Sequence, residues 1–282
     1  MIDGNTTLIA HIGYPTFSFK APLIYNPHFE AAGINATVMP MGCQAEDYPA
    51  LLRAVFRLTN IGGALITMPH KVSTVALLDE ASVAVKIAGA CNAVKRDAAG
   101  RLLGDMFDGE GFVRALKTKG FALGSAAGLV VGAGGVGSAI AASLAGAGIK
   151  RLVLADTNRA ATEALAGRIR QHYPSLNVSA GTADPAGFDL VVNATPLGMK
   201  EGDPLPVDVS RMSPTALAGE VVMRTEITPF LAAARARGCS IQIGTDMLFE
   251  QIPAYLEFFG FPTTTAAQLR SVARLPAPAV SA

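Results

Sequence analysis

The stretch Gly128-Leu129-Val130-Val131-Gly132-Ala133-Gly134-Gly135-Val136-Gly137-Ser138-Ala139-Ile140 decides the fold of this chain. Gly128 to Val131 reads as a short apolar strand, and Ser138 to Ala147 as an alanine-rich helix. The residues between them spell G-x-G-x-x-G, and an acid, Asp156, ends the next apolar run, Arg151 to Asp156. A glycine turn that leaves a strand, opens a helix and is followed by such an acid is the context a dinucleotide-binding loop requires. Gly132 permits the tight turn, Gly134 opens the backbone to a pyrophosphate, and Gly137 lets the helix lie close to the strand. With Gly135 and Val136 they place the N–H groups and positive dipole end of the helix toward the phosphates.

Asp156 bears on which dinucleotide is used. A carboxylate there accepts hydrogen bonds from the adenosine ribose and repels a 2′-phosphate, which favours NAD and makes NADP the lesser expectation. Arg159 lies close enough in sequence to bind that phosphate instead, and Asp156 can also be read as the cap of the following helix, Asn158 to His172.

Outward from the turn, strands are predicted at Asn177 to Ala180, Asp189 to Asn193, Glu220 to Met223 and Ser240 to Ile243. A helix from Pro229 to Arg237 separates the last two. Six strands with helical crossovers predict a doubly wound sheet over about residues 110–244. Upstream, Thr7 to His11, Ala36 to Pro40 and Ala64 to Thr67 read as strands, with helices at Pro22 to Gly33 and Asp47 to Thr59. That alternation predicts a mainly parallel sheet in residues 1–109. The amphipathic stretch Met247 to Phe259 begins a C-terminal segment, about 245–272, expected to return to the first domain, and residues 273–282 read as a flexible tail.

The 282 residues make two domains the expected number, and 50% hydrophobic residues provide material for their cores. A net charge of +1 argues against a nucleic-acid or acidic-membrane partner. Cys43, Cys91 and Cys239 show no CxxC spacing and the 4 histidines are scattered, so neither a disulfide framework nor a metal site is expected. No basic leader or long apolar span is evident, and a cytoplasmic protein is the plain expectation, as monomer or homodimer.

Several motifs then fall in one order: Gly13-Tyr14-Pro15, Ala21-Pro22, Tyr25-Asn26, Thr67-Met68-Pro69-His70-Lys71, Gly89-Ala90-Cys91-Asn92, Asp108-Gly109, the glycine turn, Asn193-Ala194-Thr195-Pro196-Leu197-Gly198-Met199, and Met247 with Gln251. From about Ile9 to Gly260 the chain resembles the shikimate/quinate dehydrogenase family, as a divergent, NAD-preferring member. The resemblance implies an α/β fold: a mainly parallel N-terminal substrate-binding domain, a doubly wound Rossmann-like cofactor domain, and C-terminal helices returning to the first. It implies reversible oxidation of a ring hydroxyl of shikimate, quinate or a related cyclic polyol acid, with Lys71 and Asp108 acting on the reacting hydroxyl. Such a reaction needs a group that takes the O–H proton as hydride leaves carbon and returns it in reverse. The resemblance further assigns Thr67, Asn92 and Gln251 to substrate hydroxyls, and Asn193, Thr195, Pro196, Gly244 and Met247 to the cofactor side. For Met247, packing in the core is the competing reading.

The departures from the family pattern bear on the substrate. Phe19 and Ala21 stand where relatives carry hydroxyls for the substrate carboxylate, and neither side chain can donate a hydrogen bond. Either Ser18 or Lys20 takes over the anion, or the substrate lacks a carboxylate at that end. Met106-Phe107 replaces Asn-Thr, Ala93 a threonine and Met223 a tyrosine, so a more apolar pocket is expected. On the cofactor side, Asp156-Thr157 replaces an Asn-Arg pair whose arginine holds a 2′-phosphate, which again points to NAD. The same chemistry on an amino, deoxy or less polar analogue is one alternative. A nucleotide-binding regulator without turnover is another, against which the retained Lys71 and Asp108 argue.

Overall fold

Alternating apolar strands and amphipathic helices produce two six-stranded sheets, one in each half of the chain. The computed structural model describes residues 2–275, so most of the tail read at 273–282 lies outside the described residues. In chain order the elements are β1 (Thr7–Gly13), α1 (Pro22–Ala31), β2 (Ala36–Gly42), α2 (Tyr48–Val55), β3 (Ile61–Ile66), β4 (Glu80–Ala81), α3 (Val83–Ala88), β5 (Ala93–Arg96) and β6 (Leu102–Asp105). The second half carries α4 (Asp108–Thr118), β7 (Ala127–Val131), α5 (Gly135–Gly146), β8 (Arg151–Ala155), α6 (Arg159–His172), β9 (Asn177–Ala180), β10 (Leu190–Asn193), β11 (Leu217–Glu220), α7 (Pro229–Ala236), β12 (Ser240–Gln242), α8 (Gly244–Phe259) and α9 (Ala266–Val272).

One unit comprises Met1–Val85, Gly89–Phe107 and Ile252–Ala282, the other Lys86–Ala88 and Asp108–Gln251. The division therefore falls inside α8, not ahead of it at residue 245. The reason is local: a Cβ on Gly111 of α4 would lie 2.5 Å from the Met247 carbonyl and 2.6 Å from Gln251 Cβ, so the first half of α8 is packed hard onto α4.

In the first unit the sheet order is β2-β1-β3-β5-β6-β4. β1 pairs in parallel with β2 and β3, as expected of an alternating α/β segment. The short β5 and β6 form an antiparallel hairpin, unforeseen because four residues give no readable period. Its turn is held by Asp97, whose Oδ1 accepts from the N–H groups of Ala99 and Arg101 at 2.9 Å. The end of α8 closes this unit. Phe259 lies over Gly63, where a Cβ would come within 2.3 Å of the ring, and Tyr255 and Phe258 pack on the Phe107 ring.

In the second unit the order β12-β11-β10-β7-β8-β9 is entirely parallel and doubly wound. The links from β9 to β10 and from β10 to β11 contain no α-helix, unlike the helical crossovers expected. β11 also ends earlier than the Glu220–Met223 reading. The Glu220 carboxylate bends back to accept from Val221 N at 2.8 Å and Val222 N at 3.0 Å, so Val221 N is shared with the Asn193 carbonyl at 3.3 Å and Val222 N is taken by the carboxylate. Among the described residues no helix is long and apolar enough to cross a membrane.

Candidate functional site

β7 and β10 are neighbours at the point where the chain order of the sheet reverses. A cavity of about 890 Å³ opens at this point, lined by Gly132, Gly134, Asp156, Thr157, Thr195 and Pro196 among others. In open α/β sheets this is where ligands bind. Gly132 takes φ 107°, open only to glycine, and a Cβ there would strike the Ala194 carbonyl at 2.5 Å. A Cβ on Gly137 would lie 1.9 Å from the Gly132 carbonyl, so this glycine sets how closely α5 approaches the turn.

Gly134 and Gly135 differ from those two, since among the described residues no atom beyond the adjoining backbone lies within 4 Å of a Cβ at either. Both are exposed at the tip of the turn, and Gly134 caps α5 without a side-chain partner. The first N–H groups of α5 thus open onto space the protein itself does not fill, as an anion-binding helix start requires. Val136 turns the other way and packs on the core of the unit. Turn, helix start and cavity fit a dinucleotide.

Asp156 lines this cavity and also anchors the turn. Its Oδ2 accepts from Ala133 N at 2.7 Å, and Oδ1 from Asn158 N at 2.8 Å and Thr157 Oγ1 at 3.2 Å. The Ala133 bond is the main reason its carboxyl is held below the usual range. Asp156 does not cap α6; Asn158 does, accepting from Ala161 N. Arg159 is at the rim, its side chain 85% exposed and ion-paired with Glu163 at 2.8 Å.

The loop after β10 forms the opposite wall. Its Asn193 is fully buried and turned inward, donating from Nδ2 to both Glu220 oxygens and to the Leu197 carbonyl. Asn193 Oδ1 accepts from Thr195 Oγ1 at 2.7 Å and Thr195 N at 3.1 Å, while Thr195 Oγ1 accepts from Leu197 N. Asn193 is therefore a loop-shaping residue, and Thr195 and Pro196 are the residues at the cavity wall. Glu220, absent from the sequence-derived site, is the hub. It is fully buried and also accepts from Thr228 Oγ1 at 2.8 Å. Burial pushes its carboxyl above the ordinary value despite these bonds. An acid closing the apolar run LAGE was the available signal.

In the first unit, Thr67 leaves β3 with its N–H on the Ile12 carbonyl and its own carbonyl accepting from His70 N. His70 is stacked on Tyr48 at 4.0 Å and pinned to the Cys43 carbonyl at 3.0 Å, which fixes the turn that carries the partly exposed Lys71. Asn92 is buried and its Oδ1 accepts from Phe107 N at 2.9 Å. Ser18 is exposed and donates to the Pro15 carbonyl at 3.3 Å, and Lys20 is exposed. Met106 and Phe107 belong to the core, so their replacement does not by itself line a pocket with apolar atoms. His11, unremarked within the run TLIAH, is buried beside the Phe19 ring, with centroids 4.0 Å apart.

In the second unit, Asp108 is the first residue of α4 and buried, where the positive end of the helix dipole favours a carboxylate. Gly109 follows at a contact no other residue could make, since its Cβ would lie 2.0 Å from the Ala139 carbonyl of α5. Gln251 carries a buried Oε1 with no hydrogen-bond partner. Gly244 packs where a Cβ would meet the Val222 carbonyl at 2.4 Å and Met223 Cγ at 3.0 Å. Met247 is 3% exposed and part of the core with Phe112 and Val192, which is the packing role.

Residues 12–94 match the family model described as the shikimate dehydrogenase substrate binding domain. Over 256 residues, 89% of each chain, the sequence is 37% identical to the shikimate dehydrogenase (NADP(+)) of Rubrobacter xylanophilus. The fold is similar to that of shikimate 5-dehydrogenase from Listeria monocytogenes in complex with shikimate and NAD, with TM-score 0.90, 25% identity, and 96% and 97% of the two chains covered. It is also similar to quinate dehydrogenase from Corynebacterium glutamicum in complex with NAD, with TM-score 0.85, 30% identity, and 95% and 98% covered. The chain belongs to the shikimate dehydrogenase family of nicotinamide-dependent CH–OH oxidoreductases.

Proposed function

We propose that this chain reversibly oxidises a ring hydroxyl of shikimate, quinate or a related cyclic polyol, and that it prefers NAD to NADP. The observation that carries the reading is the cavity at the β7/β10 switch point, with the Gly132–Gly137 turn on one side and Thr195 and Pro196 on the other. A nicotinamide dinucleotide held there supplies the hydride acceptor, and in its reduced form the donor. The exposed Gly134 and Gly135 and the start of α5 hold its phosphates, and Asp156 faces its ribose.

Lys71 takes the proton of the reacting hydroxyl and returns it in the reverse direction, while the Asp108 carboxylate orients that hydroxyl. Thr67, Asn92 and Gln251 are the substrate-holding side chains, and the unpartnered Gln251 Oε1 supports an acceptor role for that residue. An ionised Asp156 at the cavity wall supports NAD, since a 2′-phosphate beside it meets like charge. The Rubrobacter relative is named for NADP(+), whereas the two structures above hold NAD, so the family itself does not decide this point.

Reduction of NAD by purified protein with shikimate, quinate and neutral relatives, followed spectrophotometrically, tests the reading. Turnover that Lys71→Ala abolishes, with NAD binding retained, is the expected result. No turnover with any member of the panel, or tighter binding of NADP than NAD by the wild type, overturns it.

A further inference from the structure

Gly13, at the end of β1, is a gathering point in the first unit. A Cβ there would lie 2.3 Å from Thr67 Cγ2 and 3.1 Å from Phe19 Cζ. Two residues earlier, on the same face of the strand, stands His11. Its ring lies against the Phe19 ring with centroids 4.0 Å apart and planes inclined by 30°. His11, Phe19 and Thr67 thus share one corner, which is also the corner where hydroxyl-bearing relatives hold a carboxylate.

His11 is 8% exposed, and its Nδ1 is buried with no hydrogen-bond partner. A buried N–H without an acceptor is costlier and rarer than an unmet lone pair, so the neutral ring carries its proton on Nε2. Among the described residues Nε2 has no hydrogen-bond partner either, and it is not one of the fully buried unpartnered atoms, so it is the nitrogen left to the ring's remaining exposure. Burial and the nearby positive charge of Lys71 hold the imidazole down to about 4, so it is uncharged at neutral pH.

We propose that His11 is a specificity-determining residue, its Nε2–H donating to an uncharged hydroxyl, carbonyl or ester oxygen of the substrate at the end where relatives grip a carboxylate. The proposal rests on the polyol dehydrogenase reading above and narrows its substrate to one without a negative charge at that end. A carboxylate needs several donors to replace its lost water. Phe19 and Ala21 donate nothing here and Ser18 Oγ is turned to the Pro15 carbonyl, so with Lys71 assigned to the reacting hydroxyl the corner offers only two neutral donors, the His11 N–H and the Thr67 hydroxyl, beside a phenyl ring. An uncharged oxygen needs only the one donor.

Shikimate and its methyl ester differ in that charge and in one methyl group, and make a closely matched pair of probes. The expected result is a wild-type kcat/KM for the ester at least about tenfold above that for shikimate. His11→Val is expected to raise the KM for the ester by about tenfold or more, and His11→Gln to recover part of the loss by restoring a donor. Thermal melting and NAD affinity of both variants should stay near wild type, which separates a contact from a folding defect. Equal use of the two probes, or a glutamine variant no better than valine, overturns the proposal. Should neither probe turn over, the dehydrogenase reading for these rings fails on its own. The proposal is then decided by NMR of the full chain labelled with 15N-histidine, in the presence of NADH. A His11 Nε2 resonance shifted by the ester and not by shikimate supports it, and one unmoved by the ester overturns it.

Discussion

Replacing Gly109 with alanine puts the geometry of Asp108 to a direct test. A Cβ at this position would sit 2.0 Å from the Ala139 carbonyl oxygen and 2.5 Å from Ser143 Oγ, where ordinary contact begins at 3.4 Å. The obstacle is backbone, so α4 must retreat from α5 by the difference, 3.4 minus 2.0, or about 1.4 Å. Overpacking of this kind costs about 1–3 kcal/mol. For a unit of this size that lowers Tm by roughly 4–10 °C. Asp108 opens the same helix one residue earlier and moves with it, and a displacement of about 1 Å at a reacting group costs on the order of a hundredfold in kcat. Gly167 is the control, being in the middle of α6 with no atom within 4 Å of its Cβ position. Gly167→Ala should raise stability by about 1 kcal/mol through helix propensity alone. Thermal melts and steady-state kinetics of the two variants suffice. A Gly109→Ala protein that melts and turns over like the wild type would refute the packing argument.

Three other perturbations have signs fixed by the structure. Gly137→Ala brings a Cβ to 1.9 Å from the Gly132 carbonyl, so calorimetric titration should show dinucleotide binding weakened by about tenfold or more, with the substrate-binding unit undisturbed. Glu220 is pushed above its ordinary 4.5 by burial, so the unfolded chain releases this proton first and stability declines as pH rises beyond about 4.5. Urea melts at a series of pH values should therefore show Glu220→Gln gaining on wild type as pH rises, and the opposite slope would contradict a buried acid. His11, held at about 4 against 6.5 in the open chain, takes up its proton later in the fold than in the unfolded chain, so wild type matches its variants above pH 6.5 and loses stability as pH falls toward 4. The loss is ~3 kcal/mol, and the same melts should show it missing from His11→Gln.

The parts of the fold that were legible in sequence are those with a long period or punctuation. The strand–glycine turn–helix of β7 and α5 and the alternation around α1, α6 and α7 all left such marks. α4 left none, because Gly109 and Gly111 weaken helix propensity by about 1 kcal/mol each. Only the finished packing shows why both are glycine, since one meets the Ala139 carbonyl and the other the Met247 carbonyl. β11 misled for a related reason. Val221 and Val222 look like strand, yet the Glu220 carboxylate takes the Val222 N–H and shares the Val221 N–H with the Asn193 carbonyl. The site was legible as a set of positions and less so as a set of contacts. Asn193 and Phe107 both sit in or beside recognisable motifs, and both spend their side chains inside the protein.

Two carboxylates close two strands of the cofactor unit, Asp156 after β8 and Glu220 on β11, and each binds backbone N–H groups of the segment that follows or faces it. They differ in that Glu220 is fully buried while Asp156 lines the cavity. Asp156 therefore holds two jobs: it pins Ala133 in the glycine turn, and it presents negative charge to whatever lies in the cavity. Removing it must disturb both. Asp156→Ala releases the Ala133 N–H, and loss of a charge-assisted bond of this kind costs about 1.5–3 kcal/mol, which weakens NAD and NADP alike. It also removes the repulsion that only NADP feels. The absolute affinities should then both fall, and the ratio of NADP to NAD affinity should rise by about tenfold or more, since a like-charge contact at about 4 Å is worth between about 1 kcal/mol in bulk water and about 4 kcal/mol near a protein surface. Asp156→Asn separates the jobs, because an amide oxygen can still accept from Ala133 while carrying no charge. Isothermal titration of both dinucleotides against the three proteins gives the answer as a pair of ratios. If the asparagine variant keeps the wild-type ratio, the carboxylate acts only as a strut for the turn, and its charge plays no part in choosing the cofactor.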